Sequence, residues 1–237
     1  QFISIIICIK DRKNCFVHPH GMLLDEAIKS GGLIKLIFKK VSLFFLKIIM
    51  NNNIKFISIT NQETIAINKY FPNTNVTEIS NPIPFDIQLE EKQIKKKRMV
   101  YFGRIHPHKN IELMIGAFLK ADLSSEWSLE IYGIRDNEKY YSQLQKKIEN
   151  FANIKIFKPV FGVEKQNIMN EAWINILVSK SEVLSLSILE SAAHGLPSLV
   201  NKNIETFGLE YAVHTTKVNL ETLSKKIHEI SNWTLNE

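Results

Sequence analysis

From residue 99 onward the chain alternates between short apolar runs and longer stretches whose apolar residues recur every three or four positions. The spacing predicts strands over 99–103, 128–132, 154–157, 174–179 and 198–201, and helices over 110–121, 137–151, 164–173, 186–194 and 220–231. Ile111, Ile115, Phe118 and Leu119 share one helical face, as do Leu220, Leu223, Ile227 and Ile230. Short apolar strands separated by amphipathic helices form βαβ units, and these build a parallel sheet covered on both sides. The expectation is an α/β fold whose ligand site lies at the carboxyl ends of the strands.

The first 98 residues are less regular. Residues 14–20 (NCFVHPH) read as a short buried strand running into a loop, and 22–50 as one or two helices with a break at Gly31-Gly32. Residues 33–50 are apolar almost all round, with Lys35, Lys39, Lys40 and Lys47 inserted over less than half the circumference. Asn51-Asn52-Asn53 ends this block. Phe56–Ile59 reads as a strand, and Thr60 as the N-cap of a helix through Tyr70, with Glu63 placed as in a capping box. Pro82, Pro84 and a charge run mark a linker. The resulting division is 1–82, a linker over 83–98, and a second domain over 99–237.

Composition excludes several classes. A chain of 237 residues with 45% hydrophobic content is not disordered. Two cysteines, Cys8 and Cys15, cannot make a disulfide framework, which fits a reducing compartment. The net charge of +6 suits anionic small molecules or an anionic membrane as well as nucleic acid. The basic run at 92–98 lacks interleaved aromatics, so no nucleic-acid partner is expected. Phe2–Ile9 has neither a basic n-region nor a cleavage site and does not read as a signal peptide. No apolar run reaches transmembrane length. P-loop, G-x-G-x-x-G, C-x-x-C, H-E-x-x-H, D-x-D and G-x-S-x-G motifs are absent. The His-Pro-His runs at 18–20 and 106–108 lack neighbouring cysteine or acidic partners and read as loop residues, not metal ligands.

Two constellations can carry chemistry. After strand 99–103 come Arg104, His106, His108 and Lys109, just before a helix that Asn110 can cap. Free N–H groups, the helix dipole and two cations suit a phosphate; the alternative is an ordinary solvated basic loop. After strand 174–179 come Glu182, in the loop, and Glu190, in the second turn of a helix that Gly195 and Pro197 end. Carboxylates accept well from vicinal hydroxyls such as those of a sugar or ribose; the alternative is a pair of solvated glutamates.

Taken together, VYFGRIHPHKNIELMIGAF, SLEIYG, NIKIFKPVFGVEK and LVSKSEVLSLSILESAAHGLPSLV resemble the nucleotide-sugar half of glycosyltransferase family 4 (group 1). HPHGML (18–23), ITNQE (59–63) and ISNPI (79–83) resemble the end of its acceptor half. The resemblance implies a GT-B fold: a Rossmann-like, parallel-sheet donor domain with a partial, Rossmann-like acceptor domain before it. It implies that Arg104 and Lys109 bind the donor diphosphate, that Glu182 holds donor-sugar hydroxyls with a catalytic role, and that Glu190 and Ser185 belong to the sugar and ribose subsite. The backbone near Pro159-Val160 would meet the base, and His20 would be the active-site histidine beside the sugar, with His18 the runner-up. Val183, Ser185, Lys158 and Val178 depart from the family's usual Gly and Pro positions. The family's acceptor half is much longer than residues 1–82, and its returning C-terminal helix is missing after Glu237, so the chain reads as truncated at both ends.

The implied activity is retaining transfer of a sugar from a nucleotide diphosphate sugar to a saccharide or lipid-linked acceptor. Surface-polysaccharide synthesis in the bacterial cytoplasm is the expected setting. The reaction needs no cofactor and no metal, because Arg and Lys neutralise the diphosphate. A catalytically silent donor-binding fragment and a GT-B nucleotide-sugar epimerase are the alternatives. Residues 33–50 have two readings: a packed helix with snorkelling lysines, which is preferred, or a peripheral contact at the inner face of the membrane.

Overall fold

The computed structural model describes residues 2–234, except 12, 30–31, 51–52, 81–94, 183–184, 205, 207–208 and 210–212. Gly31, Asn51, Asn52, Pro82, Pro84, Val183 and most of the expected linker therefore lie outside the described residues. The chain divides into two units, 1–82 with 182–184 and 83–181 with 185–237, and each has its own core.

The first unit runs α1 (Phe2–Lys10), β1 (Cys15–Val17), α2 (Asp25–Lys29), α3 (Leu33–Ile49), β2 (Ile54–Ser58), α4 (Asn61–Tyr70) and β3 (Asn75–Glu78). Its three strands pair in parallel in the order β1-β2-β3. Ile5, Leu46, Ile54, Phe56, Ile67 and Phe71 form the core, where the rings of Phe56 and Phe71 stack at 5.1 Å. Gly32 precedes α3 at φ 86, a left-handed turn that glycine adopts without steric cost. β1 is not the buried strand that its apolar run suggests, because Phe16 is 63% exposed. It is the edge of this sheet, and the pleat turns Phe16 away from the core that Cys15 and Val17 pack against.

Thr60 does cap α4: its Oγ1 accepts the Glu63 N–H at 3.1 Å. The reciprocal half of a capping box is absent. The Glu63 carboxylate accepts from the Ile59 N–H at 2.8 Å and the Gly21 N–H at 2.5 Å instead.

The second unit runs β4 (Arg98–Ile105), α5 (Ile111–Lys120), β5 (Ser128–Arg135), α6 (Glu138–Ile148), β6 (Ile154–Phe157), α7 (Gly162–Glu171), β7 (Ile174–Leu177), α8 (Leu186–Ala193), β8 (Ser198–Asn201), β9 (Val213–Thr216) and α9 (Leu220–Ser231). Its sheet is parallel throughout, in the order β6-β5-β4-β7-β8-β9. Met99, Tyr101, Leu129, Ile131, Ile176 and Leu199 bury one face under α5, α6 and α9. On the other face Phe102, Tyr132 and Phe157 stack across three strands at 5.4 and 4.9 Å. The last residues of the predicted linker are tied into this unit: Lys96 and Arg98 both bond Glu171, at 2.6 and 2.8 Å.

β4 and β5 run past Gly103 and Gly133, where the sequence pattern ends both strands. These glycines are register partners, and a Cβ on Gly133 would lie 2.2 Å from the Gly103 carbonyl oxygen. They permit close strand approach and so extend the ladder instead of ending it.

Candidate functional site

The sheet order contains a switch point. β4, β5 and β6 are laid down in one direction, and β7, β8 and β9 return on the other side of β4. The crossovers diverge between β4 and β7, and the crevice outside their carboxyl ends is where open α/β sheets bind ligands.

On the β4 side the chain leaves the sheet at Ile105 and makes a 3-10 turn over Pro107–Lys109. His106 caps that turn, its Nδ1 accepting the His108 N–H at 3.1 Å. Asn110 does not cap α5 with its side chain, contrary to the sequence expectation. The intervening turn places Asn110 at φ 61, and in that left-handed conformation it joins turn to helix through its backbone. Arg104 and Lys109 therefore flank a turn instead of preceding a side-chain-capped helix.

The β4 loop is bonded to the β7 loop. The Lys180 N–H donates to the His108 carbonyl at 3.0 Å. His108 Nε2 lies 3.1 Å from both the carbonyl oxygen and the hydroxyl of Ser181. The second His-Pro-His run thus fastens the two loops, and Glu182 is the next residue along.

The carboxylates are not the solvated glutamates of the bland reading. Glu182 is half-buried. The Glu190 side chain is 23% exposed and ion-paired with Lys165 from the first turns of α7. Lys165 also sits 5.3 Å from the Phe102 ring centroid. A carboxylate has more acceptor sites than one ammonium fills, so Glu190 keeps capacity for hydroxyls. α8 ends in a Schellman motif: Gly195, at φ 63, donates to Ala192 at 3.0 Å, and Leu196 donates to Ser191 at 2.8 Å. Beside it His194 Nδ1 meets Asn170 Oδ1 at 2.9 Å. Burial pushes the His194 pKa down, against the pull of Glu190.

Ser185 stands at the start of α8, buried, and its hydroxyl makes no cap bond. The Val160 side chain packs against the cluster that contains Phe102, Tyr132 and Leu196. Arg104 is exposed, and its Nη1 lies 3.1 Å from Asp136 Oδ2. Sequence reasoning missed Asp136 and Lys165. The one available signal was position, since both follow a strand at the carboxyl edge of the same sheet.

His20 belongs to the first unit, in the turn after β1. Its φ is 50, and its ring lies 3.8 Å from that of His18. Burial, with His20 close by, pushes the His18 pKa down, and Glu63 opposes this.

Known structures share this architecture. Anabaena HepE, solved in complex with UDP and glucose, matches with a TM-score of 0.73 at 16% identity over 97% of this chain and 65% of its own. WaaG, a glycosyltransferase involved in lipopolysaccharide biosynthesis, matches with a TM-score of 0.71 at 15% identity over 92% of this chain and 66% of its own. TarM matches with a TM-score of 0.59 at 20% identity over 75% of this chain and 36% of its own. The chain thus spans about a third of TarM and about two thirds of HepE and WaaG. A search of curated proteins finds no match. The family model described as glycosyl transferases group 1 matches residues 83–230, the unit that carries the switch-point loops. With well over half of its length matched, the chain belongs to the group 1 glycosyl transferase family.

Proposed function

We propose that this chain is the donor-binding part, with some of the acceptor side, of a retaining glycosyltransferase. It moves a sugar from a nucleotide diphosphate sugar to a saccharide or lipid-linked acceptor, in the building of a surface polysaccharide. The observation that carries this reading is the joining of the β4 and β7 loops through His108 and Ser181, with Arg104 and Lys109 on one and Glu182 directly after the other. HepE binds UDP and glucose, which supports a donor of this class.

Arg104 and Lys109 bind the diphosphate and neutralise the charge that grows on it as the C1–O bond breaks. Fixed cations at such a leaving group typically contribute about 2.7–4 kcal/mol to the barrier reduction. With these two cations on the diphosphate, the reaction runs without a metal. Glu182 holds the sugar hydroxyls, with Ser185 in the same subsite, and Glu190 holds the ribose. The backbone at Val160 meets the base. His20 is the active-site histidine in this reading.

Thermal shift with UDP and GDP tests the reading. One of the two raises the melting temperature, since a ligand at 100 times its Kd stabilises by about 2.7 kcal/mol. Arg104→Ala weakens that binding about 10- to 100-fold, the loss of a charge-assisted bond. If neither nucleotide shifts the transition, the site assignment fails.

A further inference from the structure

Given the donor-binding reading, on which this rests, we propose that Lys165 is a positioning residue of the ribose subsite. It holds one oxygen of the Glu190 carboxylate so that the other meets the vicinal hydroxyls of the donor's ribose.

Two side-chain pairs join α7 to α8. Lys165 Nζ pairs with Glu190 Oε2. One turn further along α8, His194 Nδ1 meets Asn170 Oδ1 at 2.9 Å. An amide oxygen only accepts, so His194 donates there. Ile168 and Met169 of α7 also pack with Leu196, just past α8, in the cluster that contains Phe102. α7 therefore fixes how α8 is turned, and with it the backbone that carries Glu190. Lys165 then fixes the side chain. Its ammonium lies 5.3 Å from the Phe102 ring centroid, where the ring attracts a cation. The lysine and glutamate side chains are 19 and 23% exposed, so the pair is mostly withdrawn from water. The terminal torsion of a glutamate is broad, and a carboxylate without a partner samples it freely. The lysine bond selects one arrangement, engages Oε2 and leaves Oε1 with its own acceptor sites.

A ribose diol brings O–H donors and no charge. It adds to the carboxylate without replacing the ammonium, whose charge still needs a partner in this partly buried place. Lys165 also follows the loop of Pro159 and Val160, whose backbone the donor reading gives to the base, and Val160 packs against the same cluster. Base loop, lysine and ribose carboxylate are thus parts of one packed assembly. A carboxylate aimed before the donor arrives loses less freedom on binding, and that gain belongs to the ribose hydroxyls alone.

UDP and GDP are titrated against the chain beside the 2′,3′-dideoxy form of each, which lacks both hydroxyls. The wild type binds one ribonucleotide about 10- to 100-fold more tightly than its dideoxy form, as bonds to a charged acceptor warrant. Lys165→Met keeps an apolar stem against Phe102, and Lys165→Gln keeps a polar end; circular dichroism checks that both fold. In each, the preference for the ribonucleotide falls about tenfold while dideoxy binding stays within about twofold of wild type. Lys165→Arg retains the preference. In a Glu190→Gln background Lys165→Met changes the preference no further, because the lysine acts through that one carboxylate. An undiminished preference in both neutral variants overturns the proposal. So does equal weakening of the ribo and dideoxy forms, which marks a purely structural pair. Tighter binding of the ribonucleotide in the variants overturns it as well, since the lysine would then obstruct the ribose. Each of these outcomes leaves the donor-binding reading standing, because the wild type still binds its nucleotide. Failure of the wild type to bind either nucleotide removes that reading and this proposal together.

Discussion

Glu63 shows how one residue can carry more structure than its sequence spacing reveals. Its position three residues after Thr60 announced a helix start, and Thr60 does cap it. Its fully buried carboxylate, however, accepts the Ile59 N–H and, from 42 residues earlier, the Gly21 N–H. It thereby pins the turn that carries His18 and His20 to the start of α4. Backbone groups alone meet those two bonds, so nothing in the sequence pattern could register them. Glu63→Ala leaves two buried donors unpaired and costs about 3 kcal/mol or more. Glu63→Gln keeps one acceptor and costs roughly half of that. Urea denaturation gives both values, and an alanine variant within about 0.5 kcal/mol of wild type would contradict the pinning role. Asp136 and Lys165 were hidden because their side-chain partners, Arg104 and Glu190, lie 32 and 25 residues away in the sequence.

At the scale of elements, legibility followed periodicity. The helices and strands after residue 99 have clean apolar spacing, and β6, β8 and α9 fall where it put them. β3 and β9 were missed because NVTE and VHTT are short, polar runs that become strands only by pairing with β2 and β8. α1 was unassigned because FISIIICIK is apolar and β-branched, a composition that does not favour a helix. Packing against α3 decides it, with Ile5 and Leu46 in one core. The glycines in β4 and β5 misled in the opposite direction, reading as strand ends while lying inside the ladder. Gly133→Ala would drive a Cβ into the Gly103 carbonyl at 2.2 Å, and backbone cannot yield as a flexible side chain would. The expected cost is about 2–3 kcal/mol, read by thermal or urea unfolding. Because Arg104 directly follows Gly103, nucleotide binding should weaken as well. An unchanged midpoint would mean that the strands separate freely there.

At the scale of the whole molecule, both units hold partly or fully buried histidines whose neutral form the fold favours. His18 in the first unit is lowered by burial and then by His20. In the second unit burial lowers His194 and His214, the latter with help from Lys226. An unfolded histidine titrates at its ordinary 6.5, so in the window just below that value the unfolded chain binds protons that the folded chain refuses. The neutral-histidine contribution is therefore complete above about pH 7.5 and declines as pH falls through 6.5 toward the lowered folded values. Glu171 acts in a different window. Lys96 and then Arg98 hold its carboxyl below 4.5, so its contribution persists until the pH falls past that value. The melting temperature should thus be flat from pH 8 to 7, fall on acidification below about 6.5, and fall again in strong acid. His194→Gln removes one of the three groups and should reduce the slope between pH 7 and 5.5 while leaving the acid limb in place. A melting temperature that rises between pH 7 and 5.5 would show that the charged imidazoles are favoured in the fold. In that case the bond of His194 to Asn170 would have to be reassigned as a bond of the protonated ring.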